Sequence, residues 1–253
     1  MSARTLLAFD AAGRGCSAAV WRDGAVLASD RARMARGQAE RLVPMIESVL
    51  NAAGVAHAAL DAIAVTTGPG AFTGVRIGLA TARGYALALG IPAIGIDNLT
   101  AIAAGTPAQA RAGRTLLVLI DAKRADVYAQ AFRPDLTPAS APMAVTPEAL
   151  DAALPPGPLL LAGDGDGAVA GSGGAEAALR ATGREVAWAD APALADPEVL
   201  AHLAAHKPMP AADAPPPRPL YLRPPDVTWP AGHGLAPARD GAETGDGTEK
   251  GPA

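Results

Sequence analysis

Apolar positions along this chain fall into short runs whose period changes several times, and the changes mark out its elements. Leu6-Leu7-Ala8-Phe9-Asp10, Ala18-Ala19-Val20-Trp21 and Ala25-Val26-Leu27-Ala28 are strand-like runs. They are joined by the short turns Gly13-Arg14-Gly15 and Arg22-Asp23-Gly24, which predicts an antiparallel meander. From Gln38 to Ala53 the period becomes helical, with Leu42, Met45, Ile46, Val49 and Leu50 on one face and Gly54 as a stop. Ala62-Ile63-Ala64-Val65-Thr66 reads as a buried strand, Thr73 to Leu89 as a second helix closed by Gly90, and Ile91 to Ile96 as another strand. The first hundred residues therefore run βββ-α-β-α-β.

A similar beginning recurs at Leu116-Leu117-Val118-Leu119-Ile120-Asp121, a strand ending in aspartate, followed by a polar turn and the run from Asp126 to Phe132. Two units that each open with a strand ending in Asp and then a hairpin predict a duplicated α/β domain with a cleft between its halves. The first half is assigned to residues 1–103 and the second to residues 104–229. Leu159-Leu160-Leu161-Ala162 adds a strand that runs into a turn rich in glycine and aspartate through Gly167, and Ala175 to Ala181 reads as a short helix. Apolar periodicity is lost from about Ala231, so residues 230–253 are expected to be a disordered tail.

Half of the 253 residues are apolar, enough for a sizeable core, and the formal net charge of −4 gives no overall basic footprint for gripping nucleic acid. A local basic edge remains open through Arg36, Arg41, Arg76 and Arg83. A single cysteine, Cys16, leaves no internal disulfide framework, which suits the reducing cytosol, so a cytoplasmic setting is expected. Asp10 interrupts the N-terminal apolar stretch too early for a signal peptide. The apolar region from Ile77 to Ile96 is broken by Arg83, Gly84, Gly90 and Pro92, so no membrane span is expected.

The candidate chemistry centres on Thr66-Thr67-Gly68-Pro69-Gly70-Ala71-Phe72-Thr73-Gly74-Val75-Arg76-Ile77-Gly78, a glycine-rich turn between a strand and a helix. Such a turn can present backbone N–H groups to an anion, or can let a helix pack closely. Neither the GxGxxG fingerprint nor the lysine-bearing phosphate loop is present. Asp10, with Gly13, Gly15 and Ser17 after it, could hold a metal–phosphate group, and so could Asp121; either could equally be a hairpin-corner aspartate. His202 and His206 have i, i+4 spacing but no obvious third ligand, so an exposed helical pair is expected. Cys16 and Ser17 lack the setting of a nucleophile.

A family resemblance is carried by Leu7 to Ala12 with Cys16 to Val20, Arg41 to Ile46, Gly68 to Gly78, Asp121-Ala122-Lys123 and Tyr221-Leu222-Arg223, in that order. These segments resemble the bacterial TsaB (YeaZ) family, and the likeness runs from Leu6 to about Trp229. It implies the actin/hexokinase/Hsp70-like (ASKHA) fold with two related α/β halves. It also implies a subunit of the machinery that forms N6-threonylcarbamoyladenosine at position 37 of tRNAs reading codons that begin with A. In that machinery TsaD is catalytic, and TsaB pairs with it and supports the ATPase TsaE, so a scaffold without cofactor or metal of its own is implied, with tRNA met mainly through the complex. In TsaD-like relatives a His-x-x-x-His metal pair follows the strand after the glycine-rich helix; here those positions fall on Asn98 and Ile102.

The resemblance makes Leu42, Met45, Ile46, Val49, Val75, Leu79 and Arg83 the expected docking residues for TsaD, with homodimerisation through the same helices as the fallback. Core packing is the competing reading of those apolar residues. Asp10, Gly68, Gly70 and Asp121 would line a degenerate nucleotide cleft. The rival function is an ASKHA-type phosphotransferase using Asp10 and Asp121 around a magnesium nucleotide.

Overall fold

The structure is a computed structural model that describes residues 4–165 and 174–223. Strand β1 (Thr5–Asp10) pairs antiparallel with β2 (Gly15–Arg22), which pairs antiparallel with β3 (Ala25–Arg33). Helix α1 (Gln38–Ala52) then crosses to β4 (Ala62–Thr66), and α2 (Phe72–Leu89) crosses to β5 (Ala93–Ile96). Both crossovers give parallel pairing, so the first sheet has the order β3-β2-β1-β4-β5.

Two short helices, α3 (Asn98–Gly105) and α4 (Ala108–Arg111), lead into the second sheet. There β6 (Thr115–Asp121) is followed by the antiparallel β7 (Val127–Phe132) and β8 (Met143–Val145). On its other side lie the parallel β9 (Leu159–Gly163) and, after α5 (Gly174–Ala181), β10 (Val186–Trp188). The order β10-β9-β6-β7-β8 repeats the first sheet's plan: a central strand, an antiparallel hairpin on one side and two parallel strands on the other. This is the duplicated ASKHA-like α/β fold, and Asp10 and Asp121 end its two equivalent central strands.

The near-continuous apolar runs of β1 and β6 follow from burial on both faces. Leu7 and Phe9 face a core closed by α1 and α2, whereas Leu6 and Ala8 face α6 (Pro197–Ala205), whose Leu200, Ala201 and Ala204 complete a second core. In the second sheet Leu117 and Leu119 meet α5, while Leu116 and Val118 meet Leu99 and Ile102 of α3. The halves thus exchange helices: α3 lies on the second sheet and α6 on the first. The cut expected between residues 103 and 104 falls inside α3.

One local difference from the sequence expectation has a plain cause. Strand β5 begins at Ala93 and not at Ile91, because Gly90 takes φ +66° and the Ile91 N–H donates back to the Ala86 carbonyl, closing α2 with a left-handed cap. Helix α1 begins at Gln38 as expected, follows Gly37 at its N-cap without a side-chain cap, and carries Pro44 inside it. The tail expected over residues 230–253 lies outside the described residues.

After α6 the chain returns across both sheets as a strap of residues 215–223. The Leu220 N–H donates to the Thr67 carbonyl (2.8 Å), Arg83 donates to the Pro217 carbonyl (3.0 Å), and Arg223 pairs with Asp126.

The glycines of α2 make opposite demands. A Cβ on Gly74 would sit 2.1 Å from the Ala11 carbonyl oxygen, whereas one on Gly84 would meet nothing within 4 Å. Gly74→Ala should therefore cost about 2–3 kcal/mol through forced backbone displacement, and Gly84→Ala should add about 0.5–1 kcal/mol by removing glycine from an exposed helix interior. Urea unfolding of the two variants checks this; equal effects would show that the approach of α2 to the β1–β2 turn is looser than described.

Candidate functional site

The ends of β1 and β4 lie side by side, which brings Asp10 next to Thr66. Asp10 is 3% exposed, and its Oδ1 accepts from the Ala12 N–H (3.0 Å), the Asn98 side-chain amide (3.2 Å) and the Thr66 hydroxyl. Burial pushes its carboxyl above the usual range, and the hydrogen bonds from Thr66, Ala12 and Asn98 pull the other way without cancelling it. Asn98 does more than meet Asp10. Its Oδ1 accepts from the Gly68 N–H (2.9 Å) and its own N–H donates to the Gly68 carbonyl (2.8 Å), so it brackets the start of the glycine-rich turn.

The glycines of that turn admit neighbouring backbone. A Cβ on Gly70 would lie 2.5 Å from the Ala12 carbonyl oxygen, and the Ala71 N–H already donates to that oxygen (2.8 Å). Gly68 takes φ +94° beside the Leu220 carbonyl of the strap. The turn holds α2 against the loop after β1, so that Ala71's amide is committed inside the chain.

On the second sheet Asp121 is equally enclosed. It accepts from the Lys123 N–H (2.7 Å), from the Lys123 ammonium and from Arg14 (3.0 Å), which reaches over from the β1–β2 turn. Burial alone would raise its carboxyl, but the bonds from Lys123 and Arg14 outweigh that and hold it below the usual carboxylate range. Asp164, at the end of neighbouring β9, accepts from the Asp121 N–H (3.0 Å) and is pushed up, chiefly by burial. Between the halves these groups leave a cleft of about 90 Å³ lined by Gly13, Arg14, Gly70, Asn98, Asp121 and Asp164. That is far below the about 300–1,000 Å³ of ordinary ligand pockets. A larger cavity of about 240 Å³ lies under residues 192–196, against Ser17, Arg31 and Arg33.

Of the four expected cleft residues, Gly70 and Asp121 line the cleft between the halves, Asp10 lines the larger cavity instead, and Gly68 lines neither and is held by Asn98. Asn98, Arg14, Lys123 and Asp164 complete the cleft. In the sequence Asn98 stands only where a family ligand is missing and Lys123 only within the resemblance segment after Asp121, while Arg14 and Asp164 carry no site role; the signal for Asp164 is its place after a strand that repeats the strand-to-turn pattern. Ile102 is buried with Leu116 and Val118. Cys16 is buried with its thiol pushed up to about 11, chiefly by desolvation, and donates to the Gln38 carbonyl. His202 packs edge-on to Trp21, and His206 bonds back to the His202 carbonyl. Among the described residues no three His, Cys, Asp or Glu side chains converge as a metal-ligand set.

The docking residues need a correction. Leu42, Met45, Ile46, Val49, Val75 and Leu79 are all buried in the core between α1, α2 and the first sheet, so their side chains are not available to a partner. Of the seven only Arg83 faces outward. The exposed apolar residues of these helices are Val43 (43%), Phe72 (55%) and Leu87 (87%), and beside them α2 exposes Ala80, Gly84 and Ala88. The stripe with the strongest helical period is the one that folding consumes.

Asp10 has a testable titration. Its native pKa is raised, so the folded protein binds this proton more tightly than the unfolded chain does, and the contribution is fully present below the unfolded pKa and lost as pH rises through the native one. Asp10→Asn retains an Oδ1 acceptor and removes the proton. The melting-temperature difference between variant and parent should move in the variant's favour between about pH 4 and pH 8. A difference that is flat across that range would show that Asp10 does not titrate as its burial demands.

Comparison with known proteins places this geometry. The family model for "TsaD: tRNA N6-adenosine threonylcarbamoyltransferase" matches residues 32–189. The chain is 38% identical over 130 residues to the tRNA threonylcarbamoyladenosine biosynthesis protein TsaB of Escherichia coli K12, covering 51% of this chain and 55% of that protein. It is 36% identical over 125 residues to the TsaB protein of Haemophilus influenzae, covering 49% and 52%. The chain spans about half the length of the curated relatives it matches. Among solved structures, YeaZ from Pseudomonas aeruginosa superposes with a TM-score of 0.68 at 29% identity, over 87% of this chain and 100% of that one. A Pseudomonas aeruginosa protein described as similar to peptidase YEAZ gives 0.69 at 30%, with the same coverage. A family model across most of the chain, and a solved relative covered end to end, show that the chain belongs to the TsaB/YeaZ family within the wider TsaD group.

Proposed function

We propose that this chain is a non-catalytic subunit in the formation of N6-threonylcarbamoyladenosine at position 37 of tRNAs that read A-starting codons. In this reading it works in the cytoplasm, pairs with catalytic TsaD, and supports TsaE in a ternary complex. The observation that carries the reading is the state of Asp10. The positions where TsaD-like relatives place their histidine pair hold Asn98 and Ile102; the first spends its amide on Asp10 and Gly68, and the second is core. A carboxylate that is 3% exposed, with three donors on one oxygen and facing a cavity of about 240 Å³ that is still below the range of ordinary ligand pockets, suits a fixed scaffold better than a group that must meet a magnesium nucleotide.

The docking face in this proposal is the outward side of α1 and α2. Ala80, Gly84 and Ala88 leave a low track in which a partner helix could approach closely, and Val43 and Leu87 supply apolar contact beside it. The natural partner is a chain with the same pair of helices, TsaD first and a second copy of this chain as the fallback. No helix among the described residues is long and apolar enough to cross a membrane.

The double variant Val43→Glu and Leu87→Glu, both on exposed sites, should abolish co-purification with TsaD and leave thermal unfolding nearly unchanged. Ile46→Glu should behave in the opposite way: it buries an unpaired charge, costing about 3–5 kcal/mol, so the fold itself fails. Reconstituted modification of tRNA should require this chain, and the chain alone should not turn over ATP. Full modification in its absence, or efficient substrate-dependent ATP hydrolysis by the purified chain, would sink the proposal.

A further inference from the structure

The N-terminal end of α2 carries a surface that neither the core nor the docking track uses. Phe72, the first residue of α2, is 55% exposed, and Tyr221 of the strap is 47% exposed. Their rings stack at 5.7 Å and 29°. The Arg76 guanidinium lies 3.7 Å over the Phe72 ring, and its Nε donates to the Tyr221 hydroxyl (3.1 Å). Two large aromatic side chains are therefore held together at the surface and not buried.

Arg76 at the rings, and Arg83 and Arg218 further along α2 and the strap, have no anionic partner among the described residues. Arg76 meets only the phenol and the ring, and Arg83, two turns further along α2, meets the Pro217 carbonyl. Arg218 lies between the strap's two anchors, Pro217 and Leu220. Among the described residues none of these three guanidiniums meets a carboxylate, although the chain as a whole carries a formal net charge of −4. The patch is also fixed in advance. Leu220 is bonded to Thr67 and Tyr221 to Arg76, so little side-chain freedom remains to be lost on binding.

Exposed aromatic rings beside unopposed guanidiniums are the chemistry that receives unpaired nucleotides: a base stacks on a ring, and phosphates take the cations. An uncharged protein surface would leave three cations without counter-charge, whereas a single-stranded polyanion satisfies both features. We propose that Phe72, Arg76 and Tyr221 form a landing site for an unpaired RNA segment, which stacks a base on the Tyr221 face, with Arg83 further along α2 and Arg218 in the strap as additional cations. This deepens the tRNA-modification reading above and rests on it for the identity of the RNA. Arg76 and Leu87 lie about 16 Å apart along α2, so the landing site and a partner helix at the far end of α2 can be occupied together.

The test is fluorescence anisotropy on the full chain alone, with a labelled oligouridylate and an RNA duplex of the same length as probes. The expected result is binding of the single strand in preference to the duplex. Phe72→Ala and Tyr221→Ala should each weaken it about tenfold, and Tyr221→Trp should preserve it because an indole stacks at least as well. Arg76→Gln should lower the slope of log affinity against log salt by about 0.7. Absence of single-strand binding at low salt, equal affinity for the duplex, or aromatic variants that bind as tightly as the parent would each overturn the proposal. So would variants that lose TsaD and keep their RNA affinity, since the patch would then be a protein contact. The readout needs neither TsaD nor modification, so RNA binding through this patch by a chain dispensable for modification would refute the functional reading and leave the patch standing.

Discussion

One buried carboxylate oxygen ties together four parts of the first half. The donors on Asp10 Oδ1 come from the turn after β1, the end of β4 and the start of α3, and Asn98 extends the network to both backbone groups of Gly68. Each donor would cost about 1–3 kcal/mol if it were buried and left unpaired, so these segments cannot separate without breaking several bonds together. The constraint fixes where α2 begins, since Gly70 and Gly74 must pass within contact of Ala12 and Ala11. It also fixes the wall of the cleft, because Arg14 leaves the same turn to reach Asp121.

The exchange of helices makes the two halves interdependent. With α6 closing one face of the first sheet and α3 closing one face of the second, neither sheet completes its core from its own stretch of chain. The described residues accordingly belong to one compact unit. The ionic group at the cleft adds to this. Asp121 is enclosed, and an enclosed carboxylate is tolerable only with partners, which Lys123 supplies locally and Arg14 supplies from the other half. Fold and cleft are thus closed by the same few contacts.

Much of this was legible in the sequence, and the reasons differ from one element to the next. The period of α1 and α2 was plain because each lays one face on a sheet, which imposes period 3.6, and the strand runs were plain because strands buried on both faces are near-continuously apolar. The duplicated plan was visible in the two strands ending in Asp10 and Asp121. What could not be read was which helix covers which sheet: the apolar face of α6 fits any apolar surface, and nothing local records that it returns across residues 98–188. The same limit misdirected the docking residues. Leu42, Ile46 and Val75 carry the strongest apolar signal on their helices, and that signal marks the face the fold uses first. Asn98, Arg14 and Asp164 were hidden because their importance comes from partners 30, 107 and 43 residues away.

Helix α2 shows how a single element can keep its family's sequence signature while serving other ends. Its inner stripe of Val75, Leu79 and Ala82 is core, and its small residues Gly74 and Gly78 let it lie against the β1 turn and Val65. A glycine-rich turn before a helix is able to hold an anion only if its amides point to open space; here the approach of Ala12 takes up Ala71's amide, so the turn's small residues serve packing. Selection on that packing alone would keep Gly70 and Gly74 as glycine and would leave the outward positions unconstrained. Those outward positions are instead Phe72, Thr73, Arg76, Ala80, Arg83, Gly84, Leu87 and Ala88, with an aromatic ring at the N-terminal end and an aliphatic side chain among small residues near the C-terminal end. Solvation alone would not place exposed Phe72 and Leu87 at the two ends of this face, and that placement is the ground on which two surfaces for partners of different chemistry are proposed for α2.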